Sequence, residues 1–160
     1  ETFAYDERFE AVIIPAGSFQ LITDYAAAVG TLQRFFDHLT PNGRLIVDVD
    51  PIGSFLGDAS SIRQWSTTDG DLVTLTAHRV ETNYVAQTTI SHLRYDRWAA
   101  GQLVASELEF FSLRWWGVEE FALALRAVGF DDVTVSGNYE YGRAPKRDDQ
   151  TITFEARRRS

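Results

Sequence analysis

The chain has 160 residues, of which 44% are hydrophobic and 24% charged, with only 11 glycines and 4 prolines. This length allows one domain with its own core, and the composition excludes disordered, collagen-like and low-complexity proteins. Fifteen Lys and Arg against 23 Asp and Glu leave a formal charge of −8. Nucleic acid is therefore an unfavourable partner, because its phosphates would be repelled.

Membrane and metal-dependent classes are also disfavoured. No segment approaches the ~18 consecutive apolar residues of a membrane span, and no basic segment precedes an apolar run at the start. The sequence has no cysteine, and its three histidines, His38, His78 and His92, are too scattered for a ligand motif. We expect a cytoplasmic protein without a metal site.

The first third predicts a strand, a helix and a second strand. Ala11–Pro15 is uninterrupted by polar residues, which is typical of a strand buried on both faces. Asp24 is typical of a helix N-cap, and Thr40–Gly43 predicts a stop and a turn before the strand Arg44–Asp50. This order predicts a parallel sheet in which Ile13 and Ile46 are neighbours.

The middle of the chain changes to a period of two. Three long segments rich in Val, Thr, Leu and aromatic residues, Leu72–Val80, Val85–Trp98 and Leu103–Arg114, predict an antiparallel meander three or four strands wide.

The last part predicts a helix followed by two strands. The helix Val118–Val128 should end at Gly129 and bury one apolar stripe. The strands Asp132–Val135 and Thr151–Ala156 follow, joined by the polar loop Gly137–Gln150.

A ligand site is expected where the first two strands end, because open α/β sheets bind ligands at the carboxyl ends of their strands. Ala16, Gly17 and Ser18 are small enough to let a ligand approach the backbone, and Phe19 could form an apolar wall. The alternative is a tight turn with Phe19 in the core. Hydrolase chemistry has no support, since Gly17-Ser18-Phe19 lacks the second glycine of a nucleophile elbow.

The segments Phe9–Phe19 and His38–Asp48 resemble the fourth to fifth strands of class I S-adenosylmethionine-dependent methyltransferases. That family has an Asp-Ala-Val strand, a Ser-Phe turn and a Leu-x-Pro-Gly-Gly-x-Leu strand entry. The sequence is similar to glycine N-methyltransferase and to aminosugar and small-molecule N-methyltransferases, which carry a meander after the fifth strand. Ala127–Phe130 resembles the Ala-Gly-Phe of their final part, whereas Glu10 and Asn42 replace the usual Asp and Gly.

The resemblance implies an α/β fold: a Rossmann-like methyltransferase sheet with strands 4 to 7 present and an antiparallel insertion after the fifth strand. Residues 1–58 and 117–160 would form the Rossmann-like part of one partial domain, and residues 61–114 the insertion on the substrate side. The family's Gly-rich loop and its ribose-binding acidic residue have no counterpart here. We therefore expect the first strands to be missing and the chain to be incomplete and inactive alone. The alternative is that a second copy pairs at the exposed strand, giving a homodimer.

The resemblance also implies S-adenosyl-L-methionine as cofactor and a small-molecule acceptor, with an amine favoured and O-methylation left open. Ala16, Gly17, Ser18 and Phe19 match the positions that line the methionine side of the cofactor. Asp50 replaces an arginine that takes the substrate carboxylate in the glycine enzyme, so glycine is disfavoured and an ammonium or hydroxyl favoured. The alternative role for Asp50 is to cap the segment that follows it.

Further substrate-side candidates are aromatic or basic. Trp65, Arg94, Trp115 and Trp116 could form a lid, although half-buried strands select aromatic residues in any case. Alternation along an extended chain predicts that Trp115 or Trp116 is exposed or in a pocket. The last loop adds three candidates, Tyr139, Tyr141 and Arg143. No catalytic residue is assigned, and a non-catalytic binding or dimerisation module remains the competing hypothesis.

Overall fold

The computed structural model describes residues 3–159, which divide into two compact units. The first runs up to Phe55 and resumes at Arg114, and the second is Leu56–Leu113. In chain order the elements are β1 (Phe9–Ile14), a 3₁₀ turn (Ser18–Leu21), α1 (Tyr25–His38), β2 (Leu39–Val49), α2 (Ile52–Leu56), β3 (Ser60–Ser66), β4 (Leu72–Asn83), β5 (Thr88–Ala99), β6 (Gln102–Arg114), α3 (Val118–Ala127), β7 (Phe130–Gly137) and β8 (Ile152–Arg158).

The first unit is built on a four-stranded sheet in the order β1-β2-β8-β7. β1 and β2 are parallel, and Ile13 lies opposite Ile46, which confirms the predicted strand-helix-strand arrangement. β8 is antiparallel to both β2 and β7. β1, β2 and β7 therefore end at the same edge of the sheet, where β8 begins. We call the segments 15–24, 50–51 and 138–151 at this edge the carboxyl rim.

α1 and α3 supply the helical side chains of the core. Asp24 caps α1 by accepting a hydrogen bond from the Ala27 N–H at 2.8 Å, as predicted. The predicted stripe of α3 is buried, and the ring of Phe121 meets that of Phe154 on β8 at 4.8 Å. The other fully buried large side chains of this core include Phe19, Leu32, Leu39, Leu45, Leu125 and Phe130.

β1 is less buried than its sequence predicts. It lies at one end of the described sheet, and Ile13 is 60% exposed. Val12 and Ile14, on the opposite face of the strand, pack against the core. The prediction of burial on both faces is therefore wrong for residues 3–159, because here only one face of β1 and one of its edges are covered.

The predicted turn Thr40–Gly43 lies within β2. Phe9 pairs with Leu39 and Ala11 with Arg44, so the strand accommodates its extra residues in an irregular bulge. Asn42 takes a left-handed conformation there, with φ 64°, as an Asn in a bend readily does. The backbone does bend at the predicted turn, but the turn does not separate a helix from a strand. β2 pairs with β1 both before this segment, at Leu39, and after it, from Arg44.

The second unit is a four-stranded sheet in the order β3-β4-β5-β6, in agreement with the predicted meander. Residues directly opposite one another on neighbouring strands share a face. Arg94 is opposite Thr76, which is opposite Ile62, whereas Trp65 is opposite Val73, which is opposite Arg97. Thr76 and Val73 are an odd number of positions apart on β4, and successive residues of a strand point to opposite faces. Trp65 and Arg94 therefore lie on opposite faces of this sheet.

Candidate functional site at the carboxyl rim

The loop after β1 is a tight turn tied to β2. Ala16 and Gly17 are both left-handed, with φ 55° and 69°. The Ala16 N–H donates to Asp48 Oδ2 at 3.2 Å, and the Ser18 hydroxyl donates to the Pro15 carbonyl at 2.6 Å. Ala16 and Ser18 are exposed and Gly17 is buried. The turn thus presents two small exposed residues at the rim.

Asp48 connects two loops of the rim with β8. Its carboxylate is buried, and besides the Ala16 N–H it accepts hydrogen bonds from the Thr153 hydroxyl at 2.7 Å and the Tyr139 hydroxyl at 3.1 Å. A buried carboxylate is costly unless such donors satisfy it. Asp48 therefore fixes the first loop, β8 and the last loop relative to one another.

Asp50, two residues further along the chain, has a different environment. Its side chain is half-buried, and among residues 3–159 its carboxylate has no hydrogen-bond or ion-pair partner. Burial, and secondly the charge of Asp48, raise the pKa of Asp50 above its ordinary value. α2 is not capped by it in the described chain, where the Ser54 N–H donates to the Pro51 carbonyl. Asp50 is thus a carboxylate available to accept a proton or bind a cation.

Phe19 occupies the core. Its ring is 2% exposed and lies 5.3 Å from that of Phe121 and 6.0 Å from that of Trp116. The expectation that this ring forms a wall at the ligand site is therefore wrong, and the alternative interpretation, a tight turn with Phe19 in the core, describes the structure. The space beside the Gly17 Cα is likewise filled, by Asp50 and Gln20.

Trp115 and Trp116 are both buried, at 4% and 2% exposure. Neither ring is exposed, because the chain leaves β6 at Arg114 and strand alternation no longer applies. The Arg114 guanidinium lies 4.8 Å from the Trp116 ring centre and 5.1 Å from that of Tyr25. Trp116 thus belongs to an aromatic cluster beneath the rim.

The last loop brings two predicted residues together. Tyr139 and Tyr141 are exposed and line a cleft of about 140 Å³ with Ser136, Thr153 and Glu155. Tyr139 has φ 61° and follows a left-handed Asn138, a conformation that costs free energy and is common at functional sites.

Arg143, in the same loop, forms ion pairs with two neighbouring carboxylates. It contacts Asp149 at 2.8 Å and Glu140 at 3.0 Å. The hydrogen bond from Arg143 lowers the pKa of Asp149 below its ordinary value. Arg143 therefore holds the loop in shape.

Trp65 and Arg94 belong to the second unit. Arg94 pairs with Asp96 at 3.0 Å, and hydrogen bonds, first from Ser106, lower the pKa of Asp96. Because Trp65 and Arg94 occupy opposite faces of one sheet, they cannot both contact the same small molecule on that sheet.

Two residues that shape the rim, Asp48 and Gln20, were not predicted from the sequence. Asp48 was detectable, since it is a charged residue inside an otherwise apolar strand. Gln20 carried no local signal, because its partner is thirty positions away. Among residues 3–159, no group of three potential metal ligands is found, and no helix is long and apolar enough to cross a membrane.

The known proteins that this chain matches are solved structures. No protein-family model and no curated protein matches the sequence. A methyltransferase from Clostridium acetobutylicum, described as dependent on S-adenosylmethionine, superposes with a TM-score of 0.79 at 11% identity, over 99% of this chain and 62% of that one.

Two similar structures are sugar-modifying enzymes. A sugar N-methyltransferase from Streptoalloteichus matches with a TM-score of 0.74 at 20% identity, over 99% of this chain and 60% of that one. An amino pentose methyltransferase from Micromonospora echinaspora, solved with S-adenosylmethionine bound, matches with a TM-score of 0.74 at 18% identity, over 98% and 61%. The chain has the methyltransferase fold.

The resemblance inferred from the sequence is thereby confirmed as a resemblance of fold. This methyltransferase-fold chain spans about 60% of the length of the solved structures that it matches.

Proposed function

We propose that the chain forms the acceptor side of a methyltransferase that moves a methyl group from S-adenosylmethionine to an amine of a small molecule. The observation that carries this proposal is the carboxylate of Asp50, which has a raised pKa and no partner among residues 3–159, beside the exposed loop after β1. The fold and the sugar N-methyltransferases among its structural neighbours support the same chemistry.

The rim fits the methionine side of the cofactor. S-Adenosylmethionine, when bound, supplies a methyl group on a sulfonium cation. Ala16 and Ser18 are exposed for contact through the backbone, and the carboxylates of Asp48 and Asp50 favour a positive charge nearby. In the described chain no strand lies beyond β1 to supply an acidic partner for the ribose. We therefore assign Ala16, Gly17, Ser18 and the Phe19 backbone to the methionine side alone.

Asp50 is assigned to the acceptor. An amine must be neutral to attack, since its lone pair forms the new N–C bond while the C–S bond breaks. A carboxylate binds the incoming ammonium and accepts the proton that the nitrogen gives up. A raised pKa makes it a better base near neutral pH than an ordinary Asp. Tyr139 and Tyr141 offer aromatic faces to a sugar ring or a cation.

The experiment is a comparison of binding with turnover. S-Adenosylhomocysteine at 100 times its Kd stabilises a binding protein by about 2.7 kcal/mol, which a thermal shift detects. In protein that includes the coding sequence preceding these residues, we expect this shift both with the wild-type sequence and with Asp50→Asn, together with a loss of methyl transfer to amines of about 10²-fold or more in the variant. Asp37→Asn, an exposed carboxylate on α1, is the control and should keep full activity. An undiminished rate in Asp50→Asn would refute the role of Asp50.

We further propose that additional polypeptide covers β1 in the active enzyme. Ile13 is 60% exposed on the uncovered face of β1, and among residues 3–159 one edge of this strand has no neighbouring strand. Such an exposed edge invites pairing. The 160 residues alone should then show no thermal shift with S-adenosylhomocysteine, whereas protein containing the preceding coding sequence should show one. A shift in the 160 residues alone would contradict this.

The alternative function is a non-catalytic module in which two copies pair through β1. The same strand supports it, because a C2 contact between the uncovered faces of two β1 strands would bury both copies of Ile13. Sedimentation of the 160 residues distinguishes the two. A concentration-dependent dimer that Ile13→Lys abolishes favours the module, and a monomer at all concentrations excludes it.

A further inference from the structure

Gln20 is a buried polar residue whose amide oxygen and amide nitrogen both hydrogen-bond to the backbone of Asp50. Its side chain is 0% exposed. Its Oε1 accepts from the Asp50 N–H at 2.8 Å, and its Nε2 donates to the Asp50 carbonyl at 3.3 Å. This two-point contact fixes the peptide groups on both sides of the Asp50 Cα.

Gly17 completes the arrangement. A Cβ at this position would lie 3.0 Å from Gln20 Oε1 and 3.1 Å from Asp50 Oδ2. The missing side chain therefore makes room for both groups. The Asp50 carboxylate is packed against the loop after β1, while its backbone is held by the turn that follows the same loop.

We propose that Gln20 is the positioning residue of the rim: it holds Asp50 so that its carboxylate stays beside Gly17 and close to Asp48, without touching substrate itself. As a statement about catalysis, this rests on the proposed function. Among residues 3–159, the charge that raises the pKa of Asp50 is that of Asp48 on β2, which itself accepts a hydrogen bond from the Tyr139 hydroxyl. Since a buried amide on a backbone also stabilises a fold, a positioning role must be separated from a structural one.

Carboxyl NMR titration makes this separation without any turnover. The midpoint of Asp50 is measured in wild type, Gln20→Ala and Gln20→Met; the methionine keeps the volume of the side chain and removes both hydrogen bonds. Thr31→Val is the matched control, because Thr31 is also buried in this unit and donates to a backbone carbonyl, that of Ala27, at 2.8 Å.

We expect the Asp50 midpoint to move to lower pH in both Gln20 variants, as the freed carboxylate reaches water and leaves Asp48, and to stay unchanged in Thr31→Val. If Gln20→Ala does not fold, Gln20→Met decides the question. An Asp50 midpoint unchanged in Gln20→Met, or moved equally in Thr31→Val, would overturn the proposal.

The outcome is independent of methyl transfer. If the protein proves inactive and the Asp50 midpoint still responds to Gln20, the proposed function fails and the positioning stands. In active protein, the acid limb of the kcat/KM profile should move with the NMR midpoint in the Gln20 variants and not in Thr31→Val.

Discussion

Asp50 is expected to destabilise the fold at neutral pH. Its pKa is raised from an ordinary value of 3.8 by burial first and by Asp48 second. A raised folded-state pKa means that the folded protein binds the proton more tightly than the unfolded chain. The favourable contribution is complete below 3.8 and is lost as the pH rises through the folded pKa.

The corresponding prediction is that Asp50→Asn raises the Tm at pH 7. The variant removes a charge that has no partner among the described residues and keeps the shape of the side chain. The difference in Tm should vanish below the ordinary value of 3.8, where Asp50 is neutral in both states. Calorimetry at several pH values measures this. A lower Tm for Asp50→Asn at pH 7 would show that the carboxylate has a stabilising partner.

Alanine substitutions at Gly17 and Gly30 are expected to change the free energy of unfolding in opposite directions. Gly17→Ala places a Cβ against Gln20 and Asp50 at φ +69°, and we expect a loss of about 1–3 kcal/mol. Gly30 lies inside α1, where a Cβ would meet nothing within 4 Å. Gly30→Ala should therefore stabilise by about 0.5–1 kcal/mol. Urea denaturation of both variants tests the opposite signs, and equal effects would contradict the geometry at Gly17.

Among the secondary-structure elements, α1 and α3 were predictable because their signals are local. Asp24 caps the first, and the buried stripe of Phe121, Leu125 and Val128 marks the second. The exposure of β1 was not predictable from periodicity, since an apolar run has the same pattern whether or not a neighbouring strand is present. The burial of both tryptophans was missed because strand alternation was extended past Arg114.

The ion pair between Arg143 and Asp149 is expected to order the last loop, residues 138–151. The pKa of Asp149 is lowered by Arg143 and by the Lys146 N–H, so its contribution to stability is present above the ordinary value and is lost as the pH falls through the folded pKa. Asp149→Asn should therefore speed tryptic cleavage in loop 138–151 at pH 7. Its stability should approach that of wild type in acid.

The control for the loop is Asp148→Asn, which changes an exposed neighbour. Its cleavage rate at pH 7 should equal that of wild type. Equal rates for Asp149→Asn and wild type would mean that the ion pair with Arg143 does not order the loop.

For the whole molecule, much of the fold could be predicted from the order of its helices and strands along the chain. The strand-helix-strand order predicted the parallel pairing of β1 with β2, and the segments of period two predicted the second sheet. The antiparallel position of β8 between β2 and β7 was not predicted. The rim was predicted only in part. Its loop and Asp50 followed from the strand ends, whereas the bonds of Asp48 and Gln20 join residues 30 to 105 positions apart, which local patterns do not encode.

The most direct test of the proposed methyltransferase rim is an amide NMR titration with S-adenosylhomocysteine, on protein that includes any polypeptide encoded ahead of these residues. If the rim binds the methionine side of the cofactor, saturable shifts are expected at the amides of Ala16, Gly17, Ser18 and Asp50. Saturable binding that leaves these four amides unmoved, or no binding at all, would contradict it.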